Sequence, residues 1–233
     1  MIKKIIVVFV IFQLTACAEL QQVVNSLPTE TLTNAQIGGG LKQALQSGIT
    51  NQVSSLTKKD GFFKNELVKI FLPEELKKVD RTLRRIGLSS LADEGLKVLN
   101  RAAEDAVGEA TPIFVNAIKG LTFTDAKNIL LGNKEAATSY LKTKTNQTLY
   151  AKFNPVINNS FKKVGADQIW SNLITKYNAL PLTNNVNPDL TDYVTKQALK
   201  GVFKMVSKEE LKIRSNINSR STDLLRKVFA LQD

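Results

Sequence analysis

Apolar residues that recur every three or four positions are the feature that most constrains how this chain can fold. The first such run is Ile37, Leu41, Leu45, Ile49, Val53 and Leu56. It forms one apolar stripe and predicts an amphipathic helix near residues 35–57. Further runs follow, the last being Leu224, Leu225, Val228 and Phe229. The sequence therefore predicts an all-α fold, a compact bundle of about eight to ten helices.

The predicted central helix begins at Ser89 or Ser90, passes Gly108 and reaches Lys119 with a kink at Pro112. One face carries small apolar residues, which allow a neighbouring helix to approach closely. Another face is polar and consists of Asp93, Lys97, Asn100, Arg101 and Glu104. Their spacing aligns these side chains along the helix axis.

Two interpretations of this polar face stay open. The first is structural, a ladder of ion pairs on the helix surface. The second is functional, a polar groove in which Glu104 acts as acid or base and Arg101 binds an anion. Tyr140 is a third candidate for such a site. The candidate catalytic residues of the sequence are therefore Glu104, Arg101 and Tyr140.

Local signals predict where other helices begin and end. Thr122 with Asp125 predicts a helix start, and Ser207 with Glu210 predicts another. Pro155 predicts a break or kink. Gly38-Gly39-Gly40, near the start of the first helix, favours a flexible beginning over a phosphate site at a helix N-terminus.

Missing residue types exclude whole classes of chemistry. The 233 residues contain no histidine and one cysteine, Cys17. Without histidine, Ser-His-Asp and Cys-His catalysis and imidazole metal ligands are excluded. If Cys17 carries lipid, thiolate and disulfide chemistry are excluded too. The chain also lacks a calcium-loop motif, and we expect neither a metal site nor a cofactor.

The stretch Leu14-Thr15-Ala16-Cys17 follows a basic start and an apolar run that begins at Ile5. This order resembles the lipobox of bacterial lipoproteins, whose cysteine becomes the acylated first residue of the mature chain. It predicts a signal peptide at residues 1–16, lipid attachment at Cys17, a lipidated tether at 17–34 and a single helical domain at 35–233. No later apolar run reaches the ~20 residues that a transmembrane helix needs.

The lipobox also predicts where the protein is located. We expect a lipoprotein of the bacterial cell envelope that faces the periplasm and is held to the membrane by its N-terminal lipid. Ala18 stands where aspartate often signals inner-membrane retention in Gram-negative bacteria. The outer membrane is therefore favoured over the inner one.

A row of lysines lies on the outer face of the last long predicted helix, which begins after Asp189. Lys196, Lys200, Lys204 and Lys208 fall four positions apart, in a chain with a formal net charge of +11. One interpretation is an ordinary solvated surface. The other is a contact with an anionic surface, because a tethered body gains when its lysines face anionic head groups. Export makes nucleic acid an unsuitable partner, and we expect none.

A series of short motifs occurs in order along the chain. They are Asp60-Gly61-Phe62, Leu72-Pro73, Asn100-Arg101-Ala102-Ala103-Glu104, Pro112-Ile113-Phe114, Asp125-Ala126, Ala136-Ala137-Thr138-Ser139-Tyr140, Phe153-Asn154-Pro155 and Leu224-Leu225-Arg226-Lys227-Val228-Phe229. Together they resemble the bacterial domain-of-unknown-function family 4197, a set of predicted lipoproteins. The resemblance covers nearly all of the mature chain and implies an envelope location and a helical fold. It implies no activity and assigns no catalytic residue.

Two functional hypotheses result from the sequence. The favoured one is a non-enzymatic helical module that binds or scaffolds a component of the envelope. Its partner would be anionic lipid, peptidoglycan or another envelope protein. The alternative is a histidine-free hydrolase or transferase that uses the carboxylate of Glu104 in a helical groove. The two differ in whether Glu104, Arg101, Asn100 and Tyr140 converge in one pocket.

Overall fold

Helices account for the regular structure of the part of the chain that can be described. The computed structural model describes residues 32–85, 87, 89–168, 171, 175, 178 and 189–230, and no strand occurs among them. The α-helices are α1 (Asn34–Thr57), α2 (Lys77–Arg85), α3 (Ser89–Val107), α4 (Ala110–Lys119), α5 (Phe123–Leu130), α6 (Ala136–Lys163), α7 (Leu190–Ser215) and α8 (Asp223–Phe229). Two 3₁₀ turns, Glu74–Leu76 and Ile217–Ser219, accompany them. The prediction of an all-α fold is confirmed.

The core lies between the long helices. α7 packs against α6 and α1, and α6 also packs against α3. The largest fully buried side chains are phenylalanines, among them Phe62, Phe114, Phe153 and Phe161. Phe114 of α4 meets Phe203 of α7 edge to face, with 5.9 Å between ring centroids. Residues 34–233 form one compact unit by themselves.

The predicted central helix is in fact two helices. α3 ends at Val107 and α4 begins at Ala110, so the chain turns at Gly108 and Glu109 instead of kinking at Pro112. Pro112 falls in the first turn of α4. A proline is tolerated there because an N–H in the first turn has no partner within the helix. The glycine, which favours a helix end, sets the break.

A break or kink is predicted at Pro155, and a break does not occur there, because α6 runs through this residue from Ala136 to Lys163. The side chains of Leu149, Phe153, Ile157 and Phe161 are buried on both sides of the proline. Their packing outweighs the loss of one backbone hydrogen bond, as tertiary burial commonly does.

Ser207 and Glu210 do not begin a helix, contrary to the prediction, because α7 continues past both to Ser215. Their side chains reach the N-terminus of α6 instead. Glu210 accepts hydrogen bonds from the backbone N–H of Ala137 at 2.9 Å and of Thr138 at 2.8 Å. Glu210 thus acts as a capping residue, but it caps α6 and not a new helix of its own segment.

The start predicted at Thr122 is confirmed. The Asp125 N–H donates to the Thr122 hydroxyl at 3.1 Å, and the Thr122 N–H donates to the Asp125 carboxylate at 3.0 Å. This reciprocal pair is a capping box. The glycines at 38–40, by contrast, lie inside α1 and not at its start. A Cβ on Gly40 would lie 2.9 Å from Val228 Cγ2, so this glycine allows α8 to pack closely.

Several predictions fall outside the described residues. These are the signal peptide at residues 1–16, lipid attachment at Cys17 and almost all of the tether at 17–34. Among the helices that are described, none is both long enough and apolar enough to cross a bilayer.

Candidate binding groove

Glu104, the best acid or base candidate of the sequence, is a buried residue of α3 with 4% of its surface exposed. Its carboxylate accepts backbone N–H groups from Phe62 at 3.0 Å and from Phe63 and Asp60 at 3.3 Å. Arg101 donates to the same carboxylate. Both oxygens are therefore engaged in holding the turn that follows α1.

Arg101, the predicted anion clamp, is engaged in the same way. It forms ion pairs with Glu104 and with Asp60, whose φ of 71° lies in the left-handed region. Asp60 also accepts from Lys64 at 3.0 Å. Lys64 first, and then Arg101, hold the pKa of the Asp60 carboxyl below its ordinary value. The guanidinium of Arg101 thus fixes a strained turn within the protein.

Asn100 completes this attachment. Its fully buried amide donates to the Ile70 carbonyl at 2.8 Å and accepts the Ile70 N–H at 2.8 Å. The side chain thus pairs with the backbone as a neighbouring strand would. Asn100, Arg101 and Glu104 of this polar face thus hold the irregular segment 60–72 to the bundle.

Tyr140 does not join these residues. It lies in α6 and lines a separate pocket of about 380 Å³, together with Ile113, Ala117 and Lys144 among others. Burial first, and then the charge of Asp125, raise the pKa of its phenol. The structure brings Glu104, Arg101 and Asn100 together, but it places Tyr140 elsewhere.

A larger groove lies between α6, α7 and the segment 66–71, and we call it the basic groove. Its volume is about 940 Å³. Five lysines and two glutamates are among its lining residues: Lys69, Lys142, Lys196, Lys200, Lys204, Glu66 and Glu135. The excess of three positive charges gives the groove a preference for anionic ligands.

The predicted lysine row divides at this groove. Lys196, Lys200 and Lys204 line it, whereas Lys208, one turn further along α7, is exposed but does not. Lys196 pairs with Asp192 at 2.8 Å. Within the described residues, Lys200 and Lys204 form no ion pair or hydrogen bond. These two cations are therefore available to a ligand.

Asp192 links the two helices that line the groove, α6 and α7. It accepts from Lys196 of its own helix and, at 2.6 Å, from the hydroxyl of Tyr150 in α6. Lys196 first, and then Tyr150, lower the pKa of the Asp192 carboxyl. The same bond to Asp192 raises the pKa of the Tyr150 phenol. Asp192 therefore stays ionised near neutral pH and keeps Tyr150 in place as a neutral donor.

The groove also has apolar surface. Leu199 and Phe203 of α7 are largely buried in its lining. Leu67 and Phe71, on the opposite segment, are 52% and 51% exposed. A ligand that fits the groove would therefore carry both negative charge and apolar surface.

Sequence reasoning found the lysines of α7 but missed the opposite wall. Lys69, between Leu67 and Phe71, belongs to an irregular segment whose position depends on Asn100 and Glu104 across the fold. The only local signal was a cation flanked at two positions on either side by large apolar residues. That pattern predicts no site by itself, because it becomes part of a groove only when the fold places the segment beside α7.

Metal binding has no support in the described part of the chain, where no three His, Cys, Asp or Glu residues cluster as ligands would. A comparison with known families matches residues 31–230 to the family described as "Protein of unknown function (DUF4197)". Searches of curated proteins and of solved structures give no match.

Proposed function

Because the chain belongs to the DUF4197 family, whose function is unknown, we propose a function from its groove: a non-enzymatic binding module of the cell envelope. In this proposal, Cys17 carries the lipid that tethers the protein to a membrane, and the basic groove binds an anionic, partly apolar ligand. The single observation that carries the binding role is the joint presence of unpaired lysines and exposed apolar side chains in one groove of about 940 Å³.

The charges of the groove support an anionic ligand over a neutral one. Lys200 and Lys204 extend from adjacent turns of α7, so both can contact one ligand group. Placing an anion there requires no existing ion pair to break. The attraction acts at a surface and is therefore expected to weaken with salt, which screens such charges over ~10 Å.

The geometry gives no support to the alternative, a hydrolase or transferase that uses Glu104. A catalytic carboxylate must reach the proton that it transfers. The oxygens of Glu104 instead accept backbone N–H groups and the Arg101 guanidinium. Tyr140, the proposed assistant, lines a different pocket.

The binding proposal is tested with 1-anilinonaphthalene-8-sulfonate, a fluorescent probe that has both an anionic group and aromatic rings. Lys204→Glu reverses a charge in the groove and should raise the Kd of the probe about fivefold, corresponding to ~1 kcal/mol. Lys208→Glu is the matched control, because it makes the same change in the same helix outside the groove. Its Kd should stay within about twofold of the unmodified chain. Equal weakening by both variants would show that only the overall charge matters.

The tether is tested separately by Cys17→Ser. If this cysteine carries the lipid, the variant should be released from membranes while its circular dichroism retains the helical signal. Retention of a correctly processed variant in the membrane fraction would contradict the tether. The binding test does not depend on this result.

A further inference from the structure

Two large apolar side chains project from the segment that forms one wall of the basic groove. Leu67 and Phe71 are 52% and 51% exposed, and both line the groove. Single exposed apolar residues are common on proteins and need no explanation. Beside the two unpaired lysines, Lys200 and Lys204, these two side chains form a surface that is both apolar and positively charged. Such a surface fits a particular kind of partner.

The exposure of these side chains is built into the fold. The segment that carries them is irregular, yet side chains of α3 and α7 hold its backbone at Ile70 and Phe71. Asn100 pairs with both polar backbone groups of Ile70, and the Tyr193 hydroxyl donates to the Phe71 carbonyl at 2.9 Å. Leu67 and Phe71 therefore project from a rigid support.

Cations lie on the same face of the groove as the two apolar residues, or line it with them. The Lys69 ammonium lies 5.6 Å from the centre of the Phe71 ring and 5.0 Å from that of Phe63. Lys200 and Lys204 stand across the groove. The nearby acidic groups are few: Glu66 is exposed, and Glu135 accepts from the Ser207 hydroxyl at 2.6 Å. The positive charge of the face exceeds its negative charge.

This combination matches the interface of an anionic bilayer. At the interface of such a bilayer, apolar side chains enter the boundary between head groups and acyl chains, while lysines contact the phosphate groups. A uniformly polar polymer would leave the apolar side chains without a partner, and a neutral surface would leave the lysines without one. Charge complementarity therefore favours phospholipid as the occupant.

We propose that the face formed by Leu67, Phe71, Lys69, Lys200 and Lys204 docks on an anionic phospholipid bilayer. Leu67 and Phe71 enter the interface, and the lysines lie over the head groups. The inference rests on the proposed function, because it identifies the anionic, partly apolar ligand of the groove as a phospholipid of that bilayer.

The test uses the mature lipidated protein, which begins at Cys17 in the proposed function, reconstituted into vesicles. Leu67→Cys provides a thiol for the polarity-sensitive fluorophore NBD, since lipid occupies the sulfur of Cys17. Leu131→Cys is the matched control, because Leu131 is also exposed, at 61%, but does not line the groove. One set of vesicles is rich in phosphatidylglycerol, and the other consists of phosphatidylcholine alone. A lipid with a spin label in its acyl chain reports whether the fluorophore is immersed.

Docking predicts that the label at position 67 brightens severalfold and is quenched by the spin-labelled lipid in the anionic vesicles, and much less in the neutral ones. The label at position 131 should show the same fluorescence and the same quenching in anionic and in neutral vesicles. Adding Lys204→Glu should remove the effect at position 67, and adding Lys208→Glu should not.

A label at position 67 that resembles the one at 131 in both lipids would overturn docking. Equal immersion in both lipids would also contradict it, since that result points to apolar contact without charge recognition. If the protein fails to stay with the vesicles, the tether of the proposed function is wrong. Docking is then measured by adding vesicles to the protein in solution, with Cys17→Ser in every variant so that position 67 or 131 carries the only thiol. The same outcomes apply.

Discussion

At the scale of single residues, Glu104 does the most to hold the irregular segment 60–72. It places a carboxylate where three backbone N–H groups would otherwise lack acceptors, and it neutralises Arg101. A buried carboxylate is costly unless it is both paired and hydrogen-bonded, and Glu104 satisfies both conditions. The residue that resembles a catalytic group in the sequence is thus explained by the backbone that it binds.

Removing this charge should destabilise the protein. Glu104→Gln keeps the shape but leaves Arg101 without one partner and weakens the hydrogen bonds to the turn. We expect a loss of about 2–3 kcal/mol in the free energy of unfolding. Glu94→Gln, on an exposed position of the same helix, should change it by less than about 0.5 kcal/mol. Urea unfolding followed by circular dichroism measures both, and similar values for the two variants would contradict this role.

Asp192 makes the stability of the groove depend on pH. Lys196 and Tyr150 lower its pKa in the folded state, so its contribution is present above the ordinary carboxyl value of 3.8. The contribution is lost as the pH falls through the lowered pKa. Asp192→Asn should therefore reduce Tm at pH 7, and its difference from the unmodified chain should shrink as the pH falls below 3.8. Asp167→Asn, outside this cluster, serves as the control. If the Tm difference between Asp192→Asn and the unmodified chain grows on acidification, the assignment is refuted.

At the scale of helices, close approach between elements depends on glycines, which have no side chain to separate them. Gly201 of α7 lies where a Cβ would be 2.8 Å from the ring of Phe62 and 3.3 Å from Val68 Cβ. Phe62 is fully buried and cannot move aside. This glycine therefore lets the segment 60–72 lie against α7, and that contact forms the far wall of the groove.

Alanine substitutions at two helical glycines should have opposite effects. Gly201→Ala should cost about 1–3 kcal/mol through overpacking. Gly39→Ala, in α1 where nothing lies within 4 Å of the new Cβ, should stabilise by about 0.5–1 kcal/mol because glycine is a poor helix former. Thermal unfolding distinguishes the two signs. Stabilisation by both substitutions would mean that the contact with Phe62 is looser than described.

The same scale shows what could be predicted from the sequence. Helices whose apolar period and cap coincide, such as the one that begins after Thr122, were predicted correctly. The signal of Ser207 and Glu210 was misassigned because a cap formed between helices has the same residues as a local one. The sequence alone does not place the break at Gly108, because a proline in the first turn of a helix has the same local pattern as one in a helix interior. The groove itself could be predicted only on its α7 side, since its other wall depends on contacts between residues far apart in the chain.

At the scale of the whole molecule, the long helices make a rigid frame, and the functional surface lies where the frame meets an irregular segment. The lysines of α7 are presented by a helix whose inner face is buried against α6 and α1. The apolar side chains opposite are presented by a segment fixed through Asn100 and Glu104. The proposed tether at Cys17 would keep this surface close to a membrane.

The central claim is that the basic groove holds an anionic, partly apolar ligand. Native mass spectrometry of the full-length protein, extracted from its membrane, tests it most directly. The protein should carry an anionic amphiphile, and Lys204→Glu should lower its occupancy severalfold while Lys208→Glu leaves it unchanged. A bound species that is neutral, or one whose occupancy is the same in all three proteins, would contradict the claim.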